Sequence, residues 1–165
     1  MRLILLMEFN DAVLAEMLRD RLEKVFKAEV SVEVKRLENV ESSFNGKRRQ
    51  YNAVRLLEDL GPVDTYTLIL TDRDLYVPGL NYVFGYAPGM KGLVSVYRLK
   101  PPKLFYDENL YFLRVVKECL HEVGHMLGLL HCKTPGCVMN FSNNVFEVDL
   151  KSDSFCSKCL AKLST

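Results

Sequence analysis

All three histidines of the 165-residue chain lie in one segment, residues 121–131, which reads HEVGHMLGLLH. His121 and His125 are spaced i and i+4, so on a helix they project from one face about one turn apart and can bind the same metal ion. Glu122 lies at the edge of that face, where its carboxylate can reach a metal-bound water without being a ligand. The spacing therefore predicts a metal site with a general base beside it.

The third histidine, His131, requires the chain to turn. If the helix continued, His131 would lie roughly 15 Å further along the axis and about 80° away from the ligand face. Gly128 allows the turn, because glycine readily takes the left-handed conformation that ends a helix. Three protein ligands with an open position are typical of catalytic zinc. The alternative, histidines on a helix surface or in the core with no metal, is disfavoured by the extended motif.

A second cluster contains four of the five cysteines, in two close pairs: Cys132 with Cys137, and Cys156 with Cys159. This layout is typical of a four-thiolate zinc site, which has no open position and is structural. Two disulfides or free thiols are the alternative. The apolar run at residues 3–7 is only as long as a strand and does not resemble a signal peptide, so we expect a cytoplasmic location and metal-bound thiolates.

These motifs resemble those of the archaemetzincins, a branch of the metzincin zinc metallopeptidases. The resemblance rests on HEVGHMLGLLHC, Cys137-Val-Met-Asn and Cys156-Ser-Lys-Cys159, with further similarity at residues 81–86 and 94–99. It implies a catalytic zinc ion on the three histidines, Glu122 as general base, and a second, structural zinc ion on the four cysteines. It also implies that Met139 forms the Met-turn beneath the catalytic ion, although a methionine here could equally be a core gap-filler. Some relatives have a tyrosine ligand where this chain has Phe141, so we expect no fifth ligand.

The aromatic segment Asn81–Tyr86 lies between two Pro-Gly pairs. By the resemblance it is the antiparallel edge strand of the sheet, to which an extended peptide substrate adds as a further strand. The candidate substrate-binding residues are Asn81, Tyr82, Val83 and Phe84. From the residues alone, an ordinary aromatic hairpin edge is an equally good interpretation.

Upstream of the histidines, strand-like and helix-like segments alternate. Apolar or alternating runs predict strands at Leu3–Met7, Val30–Val34, Tyr66–Thr71 and Leu93–Leu99, and helical periodicity predicts helices at Asp11–Phe26, Tyr51–Leu60 and Asn109–Leu127. Asn10 is the expected cap of the first helix, and Asp72 to Leu80 is expected to be a surface loop. The alternation predicts an α/β fold with a mostly parallel sheet. Together with the resemblance, it predicts a metzincin-like fold: a twisted sheet with an antiparallel edge strand and a long active-site helix.

We expect one metallopeptidase domain over residues 1–165. Its upper subdomain, about 1–131, would contain the sheet and the active-site helix. The lower subdomain, about 132–165, would contain the Met-turn and the cysteine site. Because the lower part has little periodicity, it can bury little surface, and a thiolate zinc would substitute for a core there.

Composition narrows the classes of partner. The net charge is only +1, which argues against a nucleic-acid or membrane-surface binder, and no apolar run approaches the length of a membrane span. We expect a monomer that hydrolyses peptide bonds in peptide or protein substrates, using a zinc-bound water activated by the glutamate. The alternative is a zinc-stabilised peptide-binding module with little turnover, because a ligand motif establishes a site and not its turnover.

Overall fold

A computed structural model describes all of residues 1–165, which form two β-sheets and five α-helices. The strands are β1 (Arg2–Met7), β2 (Glu29–Val34), β3 (Phe44–Asn45), β4 (Gln50–Asn52), β5 (Tyr66–Thr71), β6 (Leu75–Tyr76), β7 (Gly85–Tyr86) and β8 (Lys91–Ser95). The helices are α1 (Ala12–Phe26), α2 (Ala53–Asp59), α3 (Glu108–Met126), α4 (Val145–Leu150) and α5 (Ser157–Leu163). None of these helices combines the length and apolar character needed to cross a membrane.

The main sheet has the strand order β2-β1-β5-β8-β7. Its first four strands are parallel, while β7 pairs with β8 in the antiparallel direction at one edge. Leu68, Ile69 and Leu70 of the central strand are fully buried, because helices cover parallel strands on both faces. Such strands read as continuous apolar runs, which is why β5 was predictable to the residue. The mostly parallel α/β sheet with an antiparallel edge strand is confirmed.

The start of α1 differs from the prediction by one residue. Asp11, and not Asn10, caps the helix: its carboxylate accepts a hydrogen bond of 3.0 Å from the Leu14 backbone N–H. An N-cap side chain accepts a hydrogen bond from a backbone N–H two or three residues later. The capping residue therefore depends on where the first helical turn begins.

Three other predicted boundaries were wrong in extent. Residues 51 and 52 belong to β4, so α2 begins only at Ala53, with the Asn52 side chain as its cap. Strand β8 begins at Lys91 and ends at Ser95, and residues 96–99 form a turn. The expected loop at 72–80 contains β6, where Leu75 is fully buried and pairs with β4. The errors at α2 and β6 share a cause: the small β3-β4-β6 sheet depends on long-range pairing that local periodicity does not reveal.

Helix α3 is buried on nearly all sides between the sheet and residues 132–165, called the C-terminal segment below. Its N-terminal half is held to α4 by charged side chains. The Arg114 guanidinium makes two hydrogen bonds to the Asp149 carboxylate, at 2.8 and 2.7 Å, and the Lys117 ammonium donates to the Val148 carbonyl at 3.1 Å. The helix that carries the first two histidines is therefore held in place by α4 as well as by the sheet.

One continuous apolar core joins the C-terminal segment to the rest of the chain. Val138, Met139 and Val148, from the C-terminal segment, belong to the same buried cluster as Leu68 of the central strand. The C-terminal segment contains the short helices α4 and α5. The division into two subdomains at residue 131 stays a prediction.

Gly124 of α3 packs directly against two side chains of the C-terminal segment. A Cβ atom there would lie 2.5 Å from Met139 Sδ and 3.2 Å from Phe155 Cε1. We predict that Gly124→Ala lowers the free energy of unfolding by about 1–3 kcal/mol, because overpacking outweighs the better helix propensity of alanine. Urea denaturation of the zinc-loaded protein measures this change. Gly46→Ala is the control, since its Cβ would meet open space. Equal destabilisation of the two variants would contradict this prediction.

Candidate active site

The structure brings the three histidines together at the C-terminal end of α3. The Nε2 atoms of His121 and His125 are 3.0 Å apart, and one ring nitrogen from each of His121, His125 and His131 lies within 4.8 Å of the others. Two imidazoles bound tetrahedrally to one zinc ion, at 2.0–2.1 Å each, have their nitrogens about 3.3 Å apart. The spacing therefore fits a single ion with an open side toward solvent.

Backbone carbonyls orient the first two rings. His121 Nδ1 lies 2.8 Å from the Val138 carbonyl oxygen, and His125 Nδ1 lies 2.8 Å from that of Leu129. A proton on each Nδ1 satisfies these contacts and leaves the Nε2 lone pairs facing each other. Such outer hydrogen bonds fix the tautomer and orientation of metal-binding histidines. They are invisible in the sequence, because every residue has a carbonyl group.

The end of α3 explains how His131 reaches the same place. Gly128 has φ of +92°, and its N–H donates to the His125 carbonyl at 2.9 Å. The next N–H, of Leu129, donates to the Gly124 carbonyl at 2.9 Å. This pair of bonds is a Schellman motif, which reverses the chain direction after a helix. The same turn places the Leu129 carbonyl against the His125 ring.

The turn around Met139 lies beneath the histidines and holds the chain after His131. Met139 is fully buried, and its carbonyl accepts a 3.0 Å hydrogen bond from the Cys132 N–H. The Asn140 amide donates to the carbonyls of Cys132 and Thr134, at 2.7 and 2.8 Å. Phe141 follows, with its ring centroid 5.1 Å from that of His131, and its side chain has no atom that could bind a metal.

The four clustered cysteines also converge, with all their sulfur atoms within 4.8 Å of one another. The Sγ atoms of Cys132 and Cys156 are 3.8 Å apart, as are those of Cys137 and Cys159. Zn–S bonds of 2.3 Å in a tetrahedron require about 3.8 Å between sulfurs, whereas a disulfide requires about 2.05 Å. None of the five cysteines forms a disulfide, so the disulfide alternative is not present. The donor set fits a closed zinc site.

Electrostatics at both clusters affects metal binding. Burial lowers the pKa of His121 well below its ordinary value, and the Lys151 charge lowers it further. Burial likewise lowers the pKa values of His125 and His131, which favours the neutral imidazole that binds metal. A backbone hydrogen bond from Cys159 lowers the pKa of Cys156 to about 6. Burial raises the pKa of Cys137, an effect that a bound cation opposes.

Glu122 is buried beside the histidines and packed against the edge strand. Its Oε2 atom has no hydrogen-bond partner. Burial, and then the Glu118 charge, raise the pKa of Glu122 well above its ordinary value, whereas a cation on the histidines acts in the opposite direction. A Cβ atom on Gly85 would lie 2.6 Å from Glu122 Cγ, so this carboxylate has room only because residue 85 is glycine.

A cleft of about 440 Å³ opens over the histidines and Glu122. Residues 81–87 form its upper rim and Phe141–Asn143 its lower rim. The Tyr82 hydroxyl donates a 2.8 Å hydrogen bond to the Asn143 carbonyl, which joins the two rims. All four of the candidate substrate-binding residues, 81 to 84, line this cleft.

The edge strand itself is shorter than the predicted Asn81–Tyr86, and that prediction was wrong in extent. Only Gly85 and Tyr86 pair with β8. The chain before them is held elsewhere: the Val83 N–H donates to the Leu75 carbonyl at 3.0 Å, and the Asn81 carbonyl accepts from the Gln50 amide at 2.9 Å. Contacts to the small sheet therefore replace strand pairing along residues 81–83, whereas the Phe84 carbonyl still accepts a 2.8 Å hydrogen bond from the Ser95 N–H of β8.

Sequence reasoning missed a buried ion pair beside the site. Lys151 Nζ lies 2.9 Å from Glu118 Oε1, and both side chains are at least 96% buried. Helical spacing could have located Glu118, because it is four residues before Glu122 and lies on the same side of α3. Nothing in the local pattern indicates Lys151, which comes from beyond the end of α4.

The family model for peptidase family M54 matches residues 15–165. The chain belongs to this family. Among M54 relatives, the archaemetzincin of Archaeoglobus fulgidus is 44% identical over 150 residues, which cover 90% of this chain and 89% of the relative. The archaemetzincin of Methanopyrus kandleri is 48% identical over 136 residues, which cover 79% of this chain and 75% of that relative. The resemblance to archaemetzincins is confirmed.

Solved structures agree with this assignment to family M54. The crystal structure of the Archaeoglobus fulgidus archaemetzincin, complexed with malonate, superposes with a TM-score of 0.86 at 41% identity, and covers 98% of this chain and 99% of that chain. A zinc-dependent peptidase from Methanocorpusculum labreanum also superposes with a TM-score of 0.86, at 30% identity, and covers 99% and 100%. The family match and the two metal-binding clusters identify a zinc-dependent metallopeptidase. They do not favour the alternative of a peptide-binding module.

The contact between Gly85 and Glu122 predicts a position-specific loss of activity. Gly85→Ala should displace the Glu122 carboxylate and lower kcat/KM for peptide cleavage by about 10²-fold, the effect of roughly 1 Å of misplacement. Zinc content should remain that of the parent, because no ligand is touched. Peptidase assays with metal analysis measure both quantities. Gly89→Ala serves as the matched control, since its Cβ would meet open space. Full activity in Gly85→Ala would refute the positioning role.

Proposed function

We propose that this zinc-dependent peptidase hydrolyses peptide bonds of peptide or protein substrates with Glu122 as general base. In this proposal His121, His125 and His131 bind the catalytic zinc ion. The observation that carries it is the convergence of three ring nitrogens in a cleft that also contains an unpaired oxygen of Glu122. An unpaired, buried carboxylate oxygen is costly, and a catalytic role accounts for its presence.

In the proposed mechanism, zinc supplies Lewis acidity, which polarises the scissile carbonyl and lowers the pKa of the attacking water toward neutrality. Glu122 accepts the proton of that water on a carboxylate oxygen and later returns it to the leaving nitrogen. The edge strand holds the Glu122 carboxylate in place through the close contact at Gly85. The carbonyls of Val138 and Leu129 hold the rings of His121 and His125 throughout.

We further propose that the substrate binds in extended form along the upper rim. Gly85 and Tyr86 form the edge strand, so a peptide can add to the sheet beside them by main-chain hydrogen bonds. The candidate substrate-binding residues, Asn81 to Phe84, then contribute cleft walls ahead of this strand. Phe84 is itself buried, and its ring packs edge-on against Tyr82 at 5.5 Å.

The full proposal includes two zinc ions per chain, the second on Cys132, Cys137, Cys156 and Cys159. The tetrahedral spacing of the sulfurs supports it, together with N–H donors at 3.4 Å from the Thr134 amide to Cys132 Sγ and from the Cys156 amide to Cys137 Sγ. We expect a cytoplasmic location because thiolate ligands persist in a reducing compartment. The location and the monomeric state both stay predictions.

The role of Glu122 is testable by an isosteric change. We predict that Glu122→Gln lowers kcat by about 10²–10⁴-fold, the usual contribution of general acid–base catalysis, while zinc content is unchanged. Cleavage of a peptide library by metal-reconstituted protein gives kcat, and elemental analysis gives zinc. Glu38→Gln, at an exposed position, is the matched control. Parent-like turnover by Glu122→Gln would exclude Glu122 as the base.

The two clusters should be coupled, because His131 and Cys132 share a peptide bond. We predict that the double variant Cys132→Ser/Cys137→Ser binds fewer than two zinc ions and that its histidine site loses about 10–100-fold in zinc affinity. Native mass spectrometry and chelator competition measure count and affinity. Cys119→Ala, which removes a buried thiol outside both clusters, is the control. Unchanged affinity at the histidine site would disprove the coupling.

A further inference from the structure

The ion pair between Glu118 and Lys151 lies directly beside the first histidine of the candidate zinc site. Lys151 Nζ is 2.9 Å from Glu118 Oε1 and 3.5 Å from His121 Nδ1. The side chains of Lys151 and Glu118 are only 2% and 4% exposed, so solvent and salt screen their charges poorly. A buried cation therefore lies beside a ring that, in the proposed function, binds a dication.

The short distance between the Lys151 ammonium and the His121 ring is not an attractive contact. His121 Nδ1 faces the Val138 carbonyl at 2.8 Å, and a proton on Nδ1 is needed if Nε2 is to bind the metal. An ammonium group has only donors, so it cannot accept from this N–H. What holds Lys151 in place is the charge of Glu118 and the Asn140 carbonyl, to which it donates at 3.2 Å.

The charges of this pair act on the candidate zinc ligands in opposite directions. Burial is the first cause of the lowered pKa of all three histidines, and the Lys151 charge lowers each pKa further. The Glu118 charge acts in the raising direction on the pKa of His125. A charge that repels a proton from these rings repels a zinc ion about twice as strongly, because the Coulomb energy is proportional to charge. Glu118 is the group that offsets this repulsion.

We propose that Glu118 is a positioning residue that acts on the histidine site through Lys151. Its carboxylate neutralises the ammonium, so that Lys151 can anchor the turn at Asn140 beneath the histidines without weakening zinc binding. The inference rests on the zinc site of the proposed function and does not depend on peptide cleavage.

The zinc affinity of the histidine site tests this proposal. Glu118→Gln leaves the ammonium uncompensated beside His121 and should weaken zinc binding by about 10–100-fold, the usual cost of altering a group behind a metal ligand. The double variant Glu118→Gln/Lys151→Met removes both charges and should bind zinc within about threefold of the parent. Chelator competition on the zinc-loaded protein measures affinity. After Co²⁺ substitution, thiolate-to-metal absorption reports the cysteine site separately.

A purely structural role of the pair predicts a different order of affinities. If the pair served only to anchor the turn, the double variant would bind zinc as weakly as Glu118→Gln or more weakly, because the Asn140 carbonyl also loses its donor. That result, or parent-like affinity in Glu118→Gln, would overturn the proposal. Asp153→Asn is the matched control and should bind zinc like the parent. It breaks a 2.7 Å ion pair that ties the C-terminal segment to Arg21 of α1, and neither residue lines the cleft.

A further variant keeps the test decisive if Glu118→Gln does not fold. Lys151→Met leaves the Glu118 charge unbalanced beside the site and should bind zinc more tightly than the double variant, because a carboxylate attracts a cation. Equal or weaker binding would refute charge balance.

Failure of the proposed function is distinguishable from failure of this inference. A parent that binds zinc at the histidines but cleaves no peptide would contradict only the peptidase mechanism, and the affinities of the variants would still decide the role of Glu118. A parent that binds no zinc at the histidines would contradict both.

Discussion

The contact between the His121 ring and the Val138 carbonyl connects helix α3 to the C-terminal segment, and the histidine site depends on both. His121 lies on α3, whereas Val138 lies in the turn beneath it, next to Met139. The Met139 carbonyl also accepts a hydrogen bond from the Cys132 N–H. The position of this turn therefore sets the orientation of the His121 ring and the path of the chain after His131. The histidine site therefore has its geometry only when the C-terminal segment is folded against the helix.

Buried charges make this docking specific. The Arg114 and Glu118 side chains of α3 are paired with Asp149 and Lys151 of the C-terminal segment. Such pairs add little net stability, because desolvation offsets their attraction, but a misaligned arrangement would leave a buried charge unpaired at a cost of several kcal/mol. One register of α4 and Lys151 against α3 is therefore favoured over the others. This preference for one placement adds to the apolar contacts that Val138, Met139 and Val148 make with the core.

Much of the site was predictable because its information is local. The i, i+4 spacing of the first two histidines, the glycine that ends α3 and the paired cysteines are all readable over a few residues. What could not be predicted depends on distant contacts. Lys151 reaches Glu118 from far along the chain, and Val83 is held by Leu75, which shortens the edge strand to two residues. The fold class followed from alternating apolar segments, while the ends of β8 and α2 depended on pairing that no periodicity shows.

The hydrogen bond between Tyr82 and Asn143 spans the cleft from its upper rim to its lower rim. A substrate chain that extends across this point must pass beneath the bond or break it. An exposed hydrogen bond of this kind contributes about 1 kcal/mol net, so breaking it lowers the association constant only about fivefold. A substrate that leaves the bond intact would bind without this penalty, whereas a substrate that separates the two rims would have to break it.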